Sequence, residues 1–319
     1  MKTVVIGGAG FIGSNLCEVL LKRGRQVICI DNLSLGTKEN ISKLVLNENF
    51  IFYKGDATDL VFLENIFSKE LPDVIFHLAA NSDIQISAQN PEIEYNNTYT
   101  TTFKILDCMR KCKIKDFFFA STSAVYGDKR NLELTEDTPN LSPISYYGAS
   151  KLGSEALIQA YSYMNDMRTL IFRFPNVIGS KLTHGVIYDF IRKLDKNKEV
   201  LHILGDGNQM KPYIYVGDLV GAIIDFMDII KPGVEIYNLG VSGATSVKKI
   251  ADIICEELGL ENVKYEFTGG ESGWKGDVPQ FQYCLDKIHK TGWKAHYTSD
   301  EAVRKTVREV LNEQGVYVK

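Results

Sequence analysis

Short runs of β-branched and aromatic residues alternate with helix-like stretches through the first 180 residues of the chain. Thr3–Ile6, Val27–Ile30, Phe50–Tyr53, Val74–His77, Phe117–Ala120 and Leu170–Phe172 read as strands, and the segments near 12–23, 60–68, 97–112 and 147–163 read as helices. The strands are apolar on successive positions, as strands covered on both faces are, which predicts an α/β fold built on a doubly wound parallel sheet. Such sheets bind ligands beyond the carboxyl ends of their strands. After about residue 175 the alternation loosens into short elements separated by the glycine loops Gly205-Asp206-Gly207, Gly240–Gly243 and Gly269–Gly276. The pattern predicts a nucleotide-binding domain over 1–175, with strand and helix elements recurring later, and a smaller substrate-binding lobe over most of 176–319. That lobe is expected to cover the cofactor cleft, since cofactor sites favour clefts between lobes.

Gly7-Gly8-Ala9-Gly10-Phe11-Ile12-Gly13 follows the first strand and opens the first helix, which is the context a dinucleotide fingerprint requires. Gly7 permits the tight turn, Gly10 lets backbone approach a pyrophosphate, and Gly13 allows helix to pack closely on strand. Free amides where the helix begins, at Phe11 and Ile12, suit phosphate oxygens. Asp31 ends the second strand, where a carboxylate accepts hydrogen bonds from a ribose diol and repels a 2′-phosphate. Asn32 rather than arginine follows it, so NAD is favoured over NADP. Asp56, with Ala57 next to it, ends the third strand and either faces the adenine or caps the following helix.

The balance of 45% hydrophobic and 24% charged residues excludes disordered and collagen-like classes. A net charge of −4 with no long basic run leaves out the footprint of a nucleic-acid or polybasic membrane partner and favours a small molecule. Six scattered cysteines read as reduced core residues; Cys108 and Cys112, one helical turn apart, lack further ligands, and no metal site is expected. The strand and fingerprint begin at once, leaving no room for a signal peptide, and no stretch reaches the roughly 20 apolar residues of a membrane span. A cytoplasmic protein is expected.

Tyr147 and Lys151 stand four positions apart, hence on one helix face. There an ammonium lowers a phenol's pKa and makes it a usable base. The spacing recurs at Tyr283 and Lys287, so by itself it carries little. Only the first copy follows a nucleotide-binding half and the hydroxyl-rich strand end Ser121-Thr122-Ser123.

Together these motifs resemble the extended short-chain dehydrogenase/reductase family, and within it the NAD-dependent sugar-nucleotide epimerases and dehydratases, of the kind represented by UDP-glucose and UDP-glucuronate 4-epimerases. The similarity spans nearly the whole chain: the fingerprint, Asp31-Asn32-Leu33-Ser34, Gly55-Asp56-Ala57, His77-Leu78-Ala79-Ala80, Asn97, Val125-Tyr126-Gly127, Tyr147–Lys151, Arg173-Phe174-Pro175-Asn176, Gly205–Gln209 and Tyr215-Val216-Gly217-Asp218. It implies a Rossmann fold, with Leu78, Ala79 and Ala80 lining the nicotinamide side of the cofactor and Asn97 supporting the site. Pro175 and Asn176 would lie between nicotinamide and sugar phosphate. Tyr147 would take a proton from a sugar hydroxyl, Lys151 would hold the nicotinamide ribose, and Thr122 would hydrogen-bond the same hydroxyl. For Thr122 the alternative is a strand-end hydroxyl bonding its own backbone. The resemblance also implies a homodimer, through the helix from Asn97 and the helix carrying Tyr147.

One departure discriminates between reactions. The family's 4,6-dehydratases carry an Asp-Glu pair directly after the catalytic threonine; here Ser123 and Ala124 stand there. Alanine transfers no proton and serine is a poor acid, so that elimination lacks its equipment. Reversible oxidation at C4 needs neither. The expected activity is a sugar-nucleotide 4-epimerase acting through a 4-keto intermediate on a UDP-hexose or UDP-hexuronate; the rivals are a dehydratase on the same scaffold and a non-catalytic NAD-binding regulator.

By the same resemblance the segment from Thr183 to Phe190 holds the nucleotide base near Val186, and Gln209, Lys211 and Tyr213 lie along the substrate pyrophosphate. Lys211 replaces the usual arginine and offers a point charge in place of a bidentate fork. Lys275, before Gly276 and Asp277, replaces a second arginine, a variant that looks like epimerase-related enzymes of secondary-metabolite and surface-polysaccharide pathways. Phe281 stands near a position whose bulk gates N-acetyl groups and so favours an unsubstituted or uronate sugar. His184 is a candidate phosphate or carboxylate contact.

Overall fold

A computed structural model describes residues 1–81, 84–130, 132–271, 273 and 276–315, with backbone only at 84 and 85. The chain forms two compact units. The first comprises Met1–Gly127, Asn140–Arg173 and Val220–Tyr237; the second takes Asp128–Pro139, Phe174–Leu219 and the chain from Asn238 on.

The first unit is built around a seven-stranded sheet. Its strands are β1 (Lys2–Ile6), β2 (Gln26–Asp31), β3 (Phe50–Lys54), β4 (Val74–His77), β5 (Asp116–Thr122), β6 (Arg168–Phe174) and β7 (Gly233–Asn238), in the spatial order β7-β6-β5-β4-β1-β2-β3. β1 pairs in parallel with both β2 and β4, so the order reverses beside it and opens a crevice at the carboxyl ends of β1 and β4. All seven residues of β5 are buried, in keeping with a strand covered on both faces. Helices α1 (Phe11–Lys22), α2 (Leu60–Glu70), α3 (Thr101–Cys112) and α4 (Tyr146–Met164) follow their strands. Phe67, Ile105, Met109 and Ile158 on these helices join strand residues such as Ile28, Ile75 and Phe119 in one continuous core.

Two details differ from the sequence pattern. The helix expected over 97–112 begins with a π-helical turn at Tyr95–Thr100 before becoming α-helical at Thr101. Thr101 Oγ1 donates to the Asn96 carbonyl at 3.0 Å, five residues back, which fits the wider turn. And β7, which the pattern did not show, adds a strand next to β6.

The second unit is made of small pairings. Asn176–Ile178 runs parallel to Tyr213–Tyr215, Val200–Ile203 parallel to Lys264–Phe267, and Met210–Lys211 antiparallel to Thr245–Ser246. Helices Val186–Lys196, Val247–Leu258 and Ser299–Glu313 complete it, the last started by a capping box between Thr298 and Glu301. No helix among the described residues is long and apolar enough to cross a membrane, and no group of three or more metal-ligating side chains occurs among them. All six cysteines are free, and Cys108, expected in the core, is fully buried.

Candidate active site

The glycine loop is as tight as its sequence requires. Gly7 has φ +82°, and a Cβ there would stand 2.7 Å from the Ala79 nitrogen, so the loops after β1 and β4 nearly touch. At Gly13 an added Cβ would lie 2.1 Å from the Gly7 carbonyl oxygen. Helix α1 starts at Gly10 with no side chain capping it and no acidic residue in its first turn. Its first amides therefore keep their capacity for an anion. Phe11 and Ile12, in that turn, are half-buried, as are Leu78, Ala79 and Ala80 after β4.

Asp31 is buried, and both its oxygens hold backbone. Oδ2 accepts from the Ala9 amide at 3.0 Å and Oδ1 from the Leu33 amide at 2.8 Å. The carboxylate thus ties the end of β2 to the glycine loop, with lone pairs left for a ribose diol. Asn32 donates from Nδ2 to Asp56 Oδ2 at 2.9 Å. Of the two alternatives for Asp56, the helix cap is excluded: Asp59 caps α2, accepting from the Phe62 amide at 3.0 Å. Asp56 is exposed and accepts from Thr58, and Ala57 is buried beside it. The tight loop, the uncapped helix start and the carboxylate at the strand end fit a dinucleotide.

Beyond β4, the carboxyl end of β5 meets the start of α4. Ser145 caps α4, its Oγ accepting from the Gly148 amide at 3.1 Å. Gly148 lets the helix come close: a Cβ there would be 2.6 Å from the Ala124 carbonyl oxygen. This approach brings the Thr122 hydroxyl close enough to the Tyr147 phenol to draw its pKa down. Thr122 Oγ1 also accepts from the Ala124 amide at 3.2 Å, so the backbone role and the contact with Tyr147 coexist.

Lys151 is 2% exposed and donates from Nζ to the Ala120 carbonyl at 2.7 Å. The ammonium lies 4.6 Å from the Phe119 ring centroid and 5.8 Å from that of Tyr147. Burial pulls its pKa down to about 8 against the opposing pull of Glu94 and Glu155. Here the sequence expectation needs correcting. The phenol of Tyr147 is pushed above its ordinary value by burial, and further by Glu94, while the Thr122 hydroxyl draws it down. The Lys151 ammonium is held by the Ala120 carbonyl over the Phe119 ring.

Three buried charges to which the motifs gave no role support this corner. Glu155, one turn beyond Lys151, is paired with Arg173 at 2.6 Å. It also accepts a short hydrogen bond from Ser121, and Arg173 donates to Tyr126 at 3.0 Å. Glu94 is 1% exposed and acts on both Tyr147 and Lys151. The spacing from Lys151 to Glu155 was a signal available in the sequence; Glu94, amid other acidic residues after Pro91, offered none. Asn97 is exposed on the π-helical turn.

The second unit holds the remaining expected residues. Pro175 is buried, and Asn176 is half-buried and registered opposite the buried Tyr213. Val186 begins its helix after Gly185, with no side-chain cap. Gln209 is turned into its own loop, donating from Nε2 to the Leu204 carbonyl at 3.2 Å. Lys211 and Asp277, expected as separate ligand contacts, form a short ion pair with side chains 15% and 4% exposed. The charge that Lys211 offers a phosphate is therefore shared with Asp277. Lys275 lies outside the described residues.

Comparison with known proteins agrees with this fold. The family model described as "NAD dependent epimerase/dehydratase family" matches residues 3–240. The crystal structure of the UDP-glucose 4-epimerase of Thermotoga maritima, determined with UDP-glucose, is similar with a TM-score of 0.87 at 30% identity, covering 98% of this chain and 100% of that one. The UDP-glucuronate 4-epimerase of Thermodesulfobacterium geofontis is 30% identical over 95% of this chain and 94% of its own length. The human dTDP-D-glucose 4,6-dehydratase is 28% identical over 96% of this chain and 89% of its own.

Proposed function

The chain belongs to the NAD-dependent epimerase/dehydratase family, and from that premise we propose that it is a sugar-nucleotide 4-epimerase acting on a UDP-hexose or UDP-hexuronate. The observation that carries the reading is the close approach of α4 to the end of β5, which sets Tyr147, one helical turn from Lys151, beside Thr122, with Ser123 and Ala124 as neighbours. Tyr147 and Thr122 serve proton exchange at one carbon, while Ser123 and Ala124 supply no acid for eliminating water.

The chemistry that bound NAD supplies is the reversible uptake of a hydride from C4 of the sugar. Tyr147 takes the proton from O4 as that hydride leaves and returns it when the 4-keto sugar is reduced on its opposite face. Burial and Glu94 hold the phenol protonated in the protein alone; a positive charge beside it, such as oxidised nicotinamide carries, favours the phenolate. Thr122, beside Tyr147, hydrogen-bonds and orients the same sugar hydroxyl. Lys151, anchored by Ala120, presents its charge to a ribose hydroxyl. The glycine loop, Asp31 and the uncapped start of α1 hold the dinucleotide, with Leu78, Ala79, Ala80 and Asn97 around its nicotinamide end. In the second unit Asn176, Val186, Gln209, Tyr213 and the Lys211–Asp277 pair are assigned to the nucleotide diphosphate. Phe103, 39% exposed, packs edge-on against Tyr161 across α3 and α4, which supports assigning these helices to a homodimer interface.

Purified protein incubated with UDP-, GDP-, dTDP- and CDP-sugars, with products followed by NMR, tests the assignment. C4 epimers of a UDP-sugar are expected. A 4-keto-6-deoxy product would establish a dehydratase, and bound NAD without turnover of any sugar would point to a regulator.

A further inference from the structure

Glu94 is a deeply buried carboxylate without an ion pair among the described residues. Its side chain is 1% exposed, with Oε1 accepting from Asn81 Nδ2 at 2.8 Å and Oε2 from Thr98 Oγ1 at 2.8 Å. Both donors are neutral, and no ion pair among the described residues includes it. Burying a carboxylate on neutral donors alone is costly, and a neutral amide would meet the same two partners more cheaply. The fold nevertheless commits local architecture to it. Glu94 ends the turn Glu92–Glu94 and is followed at once by the π-helical turn Tyr95–Thr100, which brings Thr98 back to its carboxylate. That turn packs on α4, where a Cβ at Gly153 would be 3.2 Å from the Tyr99 ring.

The groups around it are those of the proton-transfer site. From α4 come Tyr147, Lys151 and, one turn further, Glu155, whose charge is taken by Arg173. From β5 come the Thr122 hydroxyl and the Ala120 carbonyl. From β4 comes His77, fully buried and held neutral by burial and by the charge of Lys151. Among the described residues no arginine or lysine pairs with Glu94, and the turn Glu92–Glu94 that carries it packs on α4, the helix of Tyr147 and Lys151.

We propose that Glu94 is a positioning residue of the reaction: its buried negative charge strengthens Tyr147 as the acceptor of the sugar proton and keeps the Lys151 ammonium charged. The inference rests on Tyr147 being the base, as argued above. A carboxylate here makes the phenolate harder to form and, once formed, more avid for a proton. Its pull on Lys151 opposes the burial that otherwise favours the neutral amine.

Difference absorbance of the phenolate, wild type minus Tyr147→Phe, in the NAD-loaded full-length protein reads the titration of Tyr147 without any sugar. Glu94→Gln and Glu94→Ala, two neutral replacements of different size, are expected to move its midpoint down by about one pH unit, and the acid limb of kcat/KM with it. Glu94→Asp, which keeps the charge, is expected to stay near wild type. A midpoint unmoved in whichever neutral variant folds, or moved equally by Glu94→Asp, overturns the proposal. Failure of the functional reading is separate: Tyr147→Phe would then turn over sugar as fast as wild type.

Discussion

Glu155 and Arg173 face each other inside the first unit, at 2.6 Å, with side chains 0% and 4% exposed. The arginine donates to both carboxylate oxygens and the carboxylate takes a further bond from Ser121. The pair joins α4 to β6 one turn beyond Lys151. Removing one partner leaves an uncompensated buried charge, so Arg173→Leu is expected to cost about 3–5 kcal/mol of stability. Replacing both residues with leucine is expected to cost less than either single change, because no lone charge remains. Urea unfolding of the two single variants and the double variant checks this; a double variant as unstable as the sum of the singles would contradict it.

The glycine loop makes a sharper prediction about binding than about folding. In Gly13→Ala the new methyl would collide with backbone at Gly7 and Gly8, 2.1 and 2.8 Å away, and neither can yield as a side-chain end would. The loop must move while the sheet beneath it stays. NAD retention is expected to fall roughly tenfold or more, the range that about 1–3 kcal/mol of overpacking gives, with little change in far-ultraviolet circular dichroism. The NAD content of purified protein measures it.

His77 links stability to pH. Its Nε2 lies 3.0 Å from Thr102 Oγ1, whose proton goes to the Thr98 carbonyl, so the ring nitrogen donates to Thr102. Among the described residues Nδ1 has no partner. Burial, and then the charge of Lys151, hold the imidazole neutral well below its ordinary value of 6.5. The unfolded chain takes up a proton near 6.5 and the native one does not. Stability from this group is therefore fully present above about pH 6.5 and is lost as pH falls below it, by up to about 1.4 kcal/mol per pH unit. His77→Phe keeps a ring in the space and removes the titration. The difference in unfolding free energy between wild type and His77→Phe should shift in favour of the variant between pH 7 and 5, and a difference independent of pH would refute the assignment.

What the sequence made legible were features that one short segment encodes. Strands β1 to β6 are apolar runs, the fingerprint is contiguous, and the spacing of Tyr147 and Lys151 is a property of any helix. β7 stayed hidden because it is an edge strand whose first four residues are exposed or half-buried, with Glu235 interrupting its apolar run. The turn at Tyr95–Thr100 has no periodic signature, since a single π turn shifts the pattern by one residue only. The Lys211–Asp277 pair joins residues 66 positions apart, and the π-helical turn that follows Glu94 packs on the helix of Tyr147 far along the chain. Neither distance in space can be read from a motif.

In the proposed reaction hydride leaves C4 of the sugar and returns to the same carbon within one turnover. A UDP-sugar carrying deuterium at C4, incubated with the NAD-loaded protein, tests it directly by NMR. The C4 epimer with its deuterium retained is expected, and none from Tyr147→Phe although that variant still holds NAD. Deuterium exchanged into solvent, or a product deoxygenated at C6, would contradict it.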